Sequence, residues 1–78
     1  MRQPEEEKRF RIRRYGKAEL GLLYAPERSK HSAWEAVKSW IDRCQPLSEA
    51  LLEAGLTTHT RVLSPRQVEL IIQYLGEP

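Results

Sequence analysis

The residues best suited to acting on a partner are a run of cations near the start of the chain. Lys8, Arg9, Arg11, Arg13, Arg14 and Lys17 supply six positive charges in ten residues, with no acid among them. Guanidinium and ammonium groups at that density suit the phosphates of a polyanion, where neutralisation releases condensed counterions. The same pattern suits a solvated edge strand that repels unwanted pairing. The net charge of +2 conceals this polarity. Residues 1–45 carry 11 Lys/Arg against 7 Asp/Glu, and residues 46–78 carry 2 against 4.

Metal and acid–base chemistry find less support. Cys44, His31 and His59 could each ligate a metal, but the chain has no C-x-x-C and no H-x₃-H pair. A structural zinc site asks for about four ligands in such pairs. Glu49 and Glu53 stand four residues apart, which fits a solvated helix face. No nucleophile elbow and no Gly-rich phosphate loop is present. The expectation is therefore a non-enzymatic protein with no catalytic residue, no metal and no cofactor.

A lone cysteine forms no internal disulfide, the staple a small secreted domain usually needs, so the cytoplasm is the expected compartment. The longest apolar run, Leu20 to Ala25, is six residues, against about 20 for a bilayer span. No apolar stretch follows the charged start, so neither a signal peptide nor a membrane partner is expected.

Seventy-eight residues with 40% hydrophobic and 31% charged content suit one small domain. Residues 1–8 read as a disordered tail, with Pro4 and the acids Glu5 to Glu7, and residues 9–78 as a single domain. RFRIRR, residues 9–14, alternates and predicts a strand, Phe10 and Ile12 inward and Arg9, Arg11 and Arg13 outward. Gly16 opens a helix over Lys17 to Tyr24 with Leu20, Leu23 and Tyr24 inward. Pro26 ends it, because the residue before a proline leaves the helical region.

The next helix runs to about Arg43. Ser29 can cap it, and Ser32 with Glu35 also fits a capping box. Ala33, Trp34, Ala36, Val37, Trp40 and Ile41 share one arc of the helical wheel. His31, Ser32, Glu35, Lys38, Ser39 and Asp42 fill the other side. Pro46 starts a short helix, Leu47 to Ala54, with Leu47, Leu51 and Leu52 inward and Gly55 just past its end. Residues 57–60 form a turn, and Arg61 to Leu63 a short strand that can pair only with the first. Phe10, Ile12 and Val62 should then face one core. Ser64, Pro65 and Gln67 form the strongest helix start in the chain, with Leu63 and Val68 as a hydrophobic staple. Val68, Ile71, Ile72 and Leu75 give its inner face. The fold class is mainly α with a two-stranded β-ribbon, about four helices in a winged helix-turn-helix-like order.

That order resembles the small winged helix-turn-helix domains of excisionases and MerR-type regulators. The matching features are an entering strand, Lys17 to Leu20 as K-x-E-L, Trp40-Ile41 closing the second helix, and Arg61 to Val68 opening another. A closer resemblance covers nearly the whole chain. FRIRRYGKAEL (Phe10 to Leu20), LYAP (Leu23 to Pro26), AWEAVKSWI (Ala33 to Ile41) and LSPRQVELIIQYLGEP (Leu63 to Pro78) are similar, in order, to a domain-of-unknown-function family found mainly in Bacteroides-type gut bacteria. The resemblance implies no particular activity. It favours Ser29 over Ser32 as the cap.

Two partner classes follow. DNA is the first: Arg9, Arg11, Arg13, Arg14 and Lys17, with Lys30 at a helix start, would contact phosphate. Glu35 and Asp42 on the second helix argue against base reading there. A protein partner or a second copy is the alternative, on a patch formed by Trp40, Leu70 and Tyr74, keeping the fold without nucleic-acid contact.

Overall fold

The computed structural model describes residues 10–78. The expected tail at residues 1–8, and Arg9, lie outside the described residues. The order is β1 (Tyr15–Gly16), α1 (Lys17–Tyr24), α2 (Lys30–Arg43), α3 (Gln45–Glu53), β2 (Val62–Leu63) and α4 (Pro65–Leu75). The domain is mainly helical with one two-stranded antiparallel sheet, compatible with a winged helix-turn-helix-like layout.

The helix starts follow from local chemistry. Ser29 caps α2, its Oγ accepting the Ser32 N–H at 3.2 Å, so Ser29 rather than Ser32 is the cap. Ser64 caps α4 reciprocally. Its Oγ accepts the Gln67 N–H at 3.2 Å, and its own N–H donates to Gln67 Oε1 at 2.9 Å. Gly16 caps α1 with its N–H donating to Glu19 Oε1 at 3.2 Å. The α3 helix begins at Gln45, two residues before its expected start, with Pro46 in the first turn. It ends in a Schellman motif. Gly55 takes φ +89°, its N–H donates to the Leu52 carbonyl, and the Leu56 N–H reaches back to the Leu51 carbonyl.

The first strand differs from expectation. Residues 10–14 are not a strand, and pairing is confined to Tyr15 opposite Leu63 and Gly16 opposite Val62. Extending the ladder would set Arg14 against Ser64, whose N–H is already taken by Gln67. Alternation without a partner strand cannot hold an extended chain. The segment folds back instead. The Tyr15 hydroxyl donates to the Arg11 carbonyl at 2.9 Å, and the Phe10 and Tyr15 rings stack with centroids 5.3 Å apart. Ile12 and Val62 are consequently exposed, and Tyr15 and Leu63 are the residues that enter the core.

The core joins Tyr15 and Leu63 to Leu20, Val37, Ile41, Leu47, Leu51, Val68, Leu70 and Ile71. The assignments of three leucines change. Leu23 is exposed because α2 crosses α1 at Gly21, turning the buried face toward Leu20 and Gly21. Leu52 is exposed because Leu47 and Leu51, four apart, define the inner face of α3, and Leu52 lies a further 100° round. Leu70, expected at the surface, is buried at 6%. Gln67 Nε2 donates to the Ala54 carbonyl at 2.9 Å, which holds the end of α3 against α4. Leu70 shares that face with Gln67 at i, i+3.

Candidate functional site

The basic run is divided among different environments. Arg13 is tied down. Its Nη2 donates to Glu19 Oε2 at 2.9 Å, its Nη1 to the Arg14 carbonyl, and its guanidinium lies 3.8 Å from the Tyr15 ring centroid. That hydrogen bond from Arg13, with a second from the Gly16 N–H, holds the Glu19 carboxyl below the usual carboxylate range. Arg11, Arg14 and Lys30 are exposed and, among the described residues, have no carboxylate partner. The regular spacing of an arginine-faced strand is lost, since Arg11 and Arg13 are not on one.

Lys17 enters a different setting. It opens α1 and is half-buried. Its Nζ donates to the Thr57 carbonyl at 3.1 Å and lies 5.4 Å from the Trp34 ring centroid. Burial, and then the like charge of Lys38, push its pKa below the usual lysine value, while Glu35 acts in the opposite sense. The sheet brings a further cation to it, because the Lys17 N–H donates to the Arg61 carbonyl at 3.1 Å. Arg61 escaped the sequence reading because 44 positions separate it from Lys17. The pairing of the two strands was the available signal.

These groups border an open cleft where the start of α1, the middle of α2, α3 and residues 56–61 meet. It consists of two hollows that share Lys17, Trp34, Lys38 and Thr58. The deeper, of about 150 Å³, is floored by Ile41, Leu51 and Leu56 with Leu52 at its margin. The wider, of about 380 Å³, adds Glu35, Thr60 and Arg61. Asp42 is engaged by Lys38 Nζ at 3.4 Å. The cleft thus joins an apolar floor to a rim where Lys17 and Arg61 lack carboxylate partners among the described residues. Trp34, expected on the apolar arc of α2, is half-buried and forms its wall.

The proposed partner patch does not assemble around Leu70, which is in the core. Trp40 and Tyr74 remain exposed, at 39% and 43%. Trp40 packs edge-on against Tyr24, centroids 6.2 Å apart, and the Tyr24 hydroxyl donates to the Gly76 carbonyl past the end of α4. Burial, with Glu77 nearby, pushes the Tyr24 phenol up to about 12. This contact ties α1, α2 and the C-terminal residues together.

His31 and His59 are exposed and Cys44 is half-buried between α2 and α3. Among the described residues, no three His, Cys, Asp or Glu side chains gather into a metal-holding group. No helix among them is long and apolar enough to cross a membrane.

No curated protein and no solved structure matches the chain. The family model of a domain of unknown function, DUF4248, matches residues 11–78. That span takes in every helix, both strands and the whole cleft, so the chain belongs to the DUF4248 family.

Proposed function

We propose that this protein is a non-enzymatic, helix-turn-helix-like DNA-binding or DNA-associated accessory domain that grips phosphate rather than reading bases. The observation that carries this reading is the pairing of β1 with β2. It sets Arg61 beside Lys17 and places both on a cleft with Lys38. The like charge of Lys38 acts on Lys17, and an anion shared by the cations of this cleft would offset that repulsion. Arg11, Arg14 and Lys30 add exposed charge with no carboxylate partner among the described residues. The exposed face of α2 argues for phosphate over bases, since it carries Glu35 and Asp42 against Lys38. Two acids are unfavourable between the phosphate walls of a major groove.

The test is fluorescence anisotropy with a mixed-sequence DNA duplex at 50 and 200 mM salt. Each phosphate contact contributes about −0.9 to the logarithmic salt slope. Arg14→Ala and Arg61→Ala should each weaken binding and flatten that slope by about one unit. Arg13→Ala should change it less, because Glu19 already neutralises Arg13. Glu35→Ala should leave binding unchanged or strengthen it. Absence of binding at the lower salt, or loss of binding to one sequence alone on Glu35→Ala, would overturn the reading.

A further inference from the structure

The deeper hollow of the cleft has a floor for which a phosphate backbone has no use. Ile41, Leu51 and Leu56 line it, Trp34 walls it, and Leu52 stands at its edge with 66% of its surface exposed. A leucine left that open beside an apolar recess adds to the area a partner can cover. The recess, about 150 Å³, matches the size of apolar cavity that admits a benzene-sized group.

We infer that this hollow docks an acidic peptide segment of a partner protein, one large aliphatic or aromatic side chain seated between Trp34 and Leu56 and its flanking carboxylates on Lys17 and Arg61. Charge complementarity selects this occupant. The rim sets Lys17, Lys38 and Arg61 against Glu35 and Asp42, with Lys38 engaged by Asp42. The positive charge left over the apolar floor is that of Lys17 and Arg61, and it favours an apolar group with anionic neighbours. A basic or neutral peptide would leave Lys17 and Arg61 without carboxylate partners. An unstacked nucleobase fits less well. Its edges carry donors and acceptors that need partners, and although Ser48, Thr57 and Thr58 line the hollow, the floor of Ile41, Leu51 and Leu56 supplies none. Lys17 Nζ also lies over the Trp34 ring, 5.4 Å from its centroid, so a base would have to displace it to stack on that face. Seating one anchor in a pocket, with charged contacts at the edge, is how small interfaces concentrate their affinity.

The experiment uses the full chain carrying Trp40→Phe, which leaves Trp34 as the single tryptophan. Nine-residue peptides with four acids flanking a central Leu, Ile, Met, Phe or Ala are titrated against its emission. The best large apolar centre should bind about tenfold or more tighter than Ala, the difference expected for burying such a side chain. Leu52→Glu should weaken that peptide severalfold and leave the thermal unfolding curve in place. Lysine-flanked versions should not bind. The inference fails if no large centre outperforms Ala, or if Leu52→Glu is without effect. It also fails if a twelve-residue oligothymidylate shifts Trp34 emission where the peptides do not, which would assign the cleft to single-stranded nucleic acid. Lys17 and Arg61 serve both readings, so the two are told apart by the Leu52→Glu and Ala-centre comparisons, which leave those cations in place, while duplex binding is read by anisotropy.

Discussion

The chain makes the same local move twice: a two-residue strand runs directly into a capped helix, and the two strands pair with each other. Tyr15–Gly16 leads into α1, and Val62–Leu63 leads into α4. The two are built to different standards. At α4 the cap is reciprocal, Pro65 presets the first helical residue, and Gln67 also reaches across to Ala54. At α1 the cap residue is a glycine with no side chain, and the one side-chain contact to it comes from Glu19, which also holds Arg13. The α4 start specifies itself through neighbours in sequence. The α1 start depends on what α1 packs against. A helix of eight residues is too short to be stable alone, so its position is a tertiary property.

The largest expected effect tests that dependence. A Cβ added at Gly21 would stand 2.7 Å from the Trp34 nitrogen and 2.9 Å from both the Trp34 Cα and the Ala33 carbonyl carbon. All three are backbone atoms of α2, so no side chain can swing away. Alanine would gain about 1 kcal/mol of helix propensity over glycine, but overpacking costs about 1–3 kcal/mol, and a clash with three backbone atoms that cannot swing away takes the upper end, about 3 kcal/mol. Gly21→Ala should destabilise the domain by about 2 kcal/mol net, read from urea unfolding. Neutral or raised stability would mean that the two helices are free to part. Lys17 and Trp34 sit on this helix pair, so the same variant should also widen the cleft and change Trp34 emission.

At α4 the decisive group is Gln67, 5% exposed and with both ends of its amide engaged. Gln67→Ala would strand the Ser64 N–H and the Ala54 carbonyl. A buried unsatisfied group costs about 1–3 kcal/mol, and partial access of water to Ser64 brings the expected loss to about 2 kcal/mol. A loss below half that value would mean that water replaces the amide and that α4 is held by packing alone.

Ser64→Ala removes only the acceptor for the Gln67 N–H and should cost about 1 kcal/mol. Its ratio to the Gln67→Ala loss separates the cap from the bridge to α3. That comparison also shows how much was legible in the sequence. Ser64, Pro65, Gln67 and Gly55 were readable because their chemistry closes within a few residues. The four helices among the described residues were legible as elements from Gly16, Ser29, Pro46 and Ser64 at their starts, although α3 begins two residues early and the placing of α1 is tertiary. The strand expected over residues 9–14 does not form over residues 10–14, because alternation reports a face, whereas a strand also needs a partner, and β2 ends at Leu63. Leu70 was misplaced because the wheel assigns a buried side only up to the neighbours that cover it, and the Gln67 bridge that brings α3 over is not local. In the candidate site, Lys17 was identified for its charge. Arg61, Lys38 and the Trp34 wall were invisible as a group because strand pairing and the crossing at Gly21 bring them together.

The smallest effect concerns the weaker start. Glu19→Gln keeps an oxygen able to accept the Gly16 N–H but removes the charge that holds Arg13. The Glu19 carboxyl is depressed in the folded state, chiefly by the Arg13 hydrogen bond and then by Gly16. A depressed carboxyl contributes stability that is present above its unfolded value, about 4.3, and is lost as pH falls through the lower folded value. Glu19→Gln should therefore be slightly less stable than the natural sequence at pH 7, with a smaller loss than Ser64→Ala, because both partners are exposed and screened. The difference should close as pH falls through the range below about 4, and it should also close in 1 M salt, where the screening length is about 3 Å. Thermal unfolding at pH 7 and pH 3, each at low and high salt, provides the four readings. A difference that persists unchanged across all four would mean that residues 10–14 are held by the Phe10–Tyr15 stack and the Tyr15–Arg11 bond alone. Arg13 would then be available to an anion, and the phosphate-gripping surface would extend from Arg61 and Lys17 along the arm to Arg11.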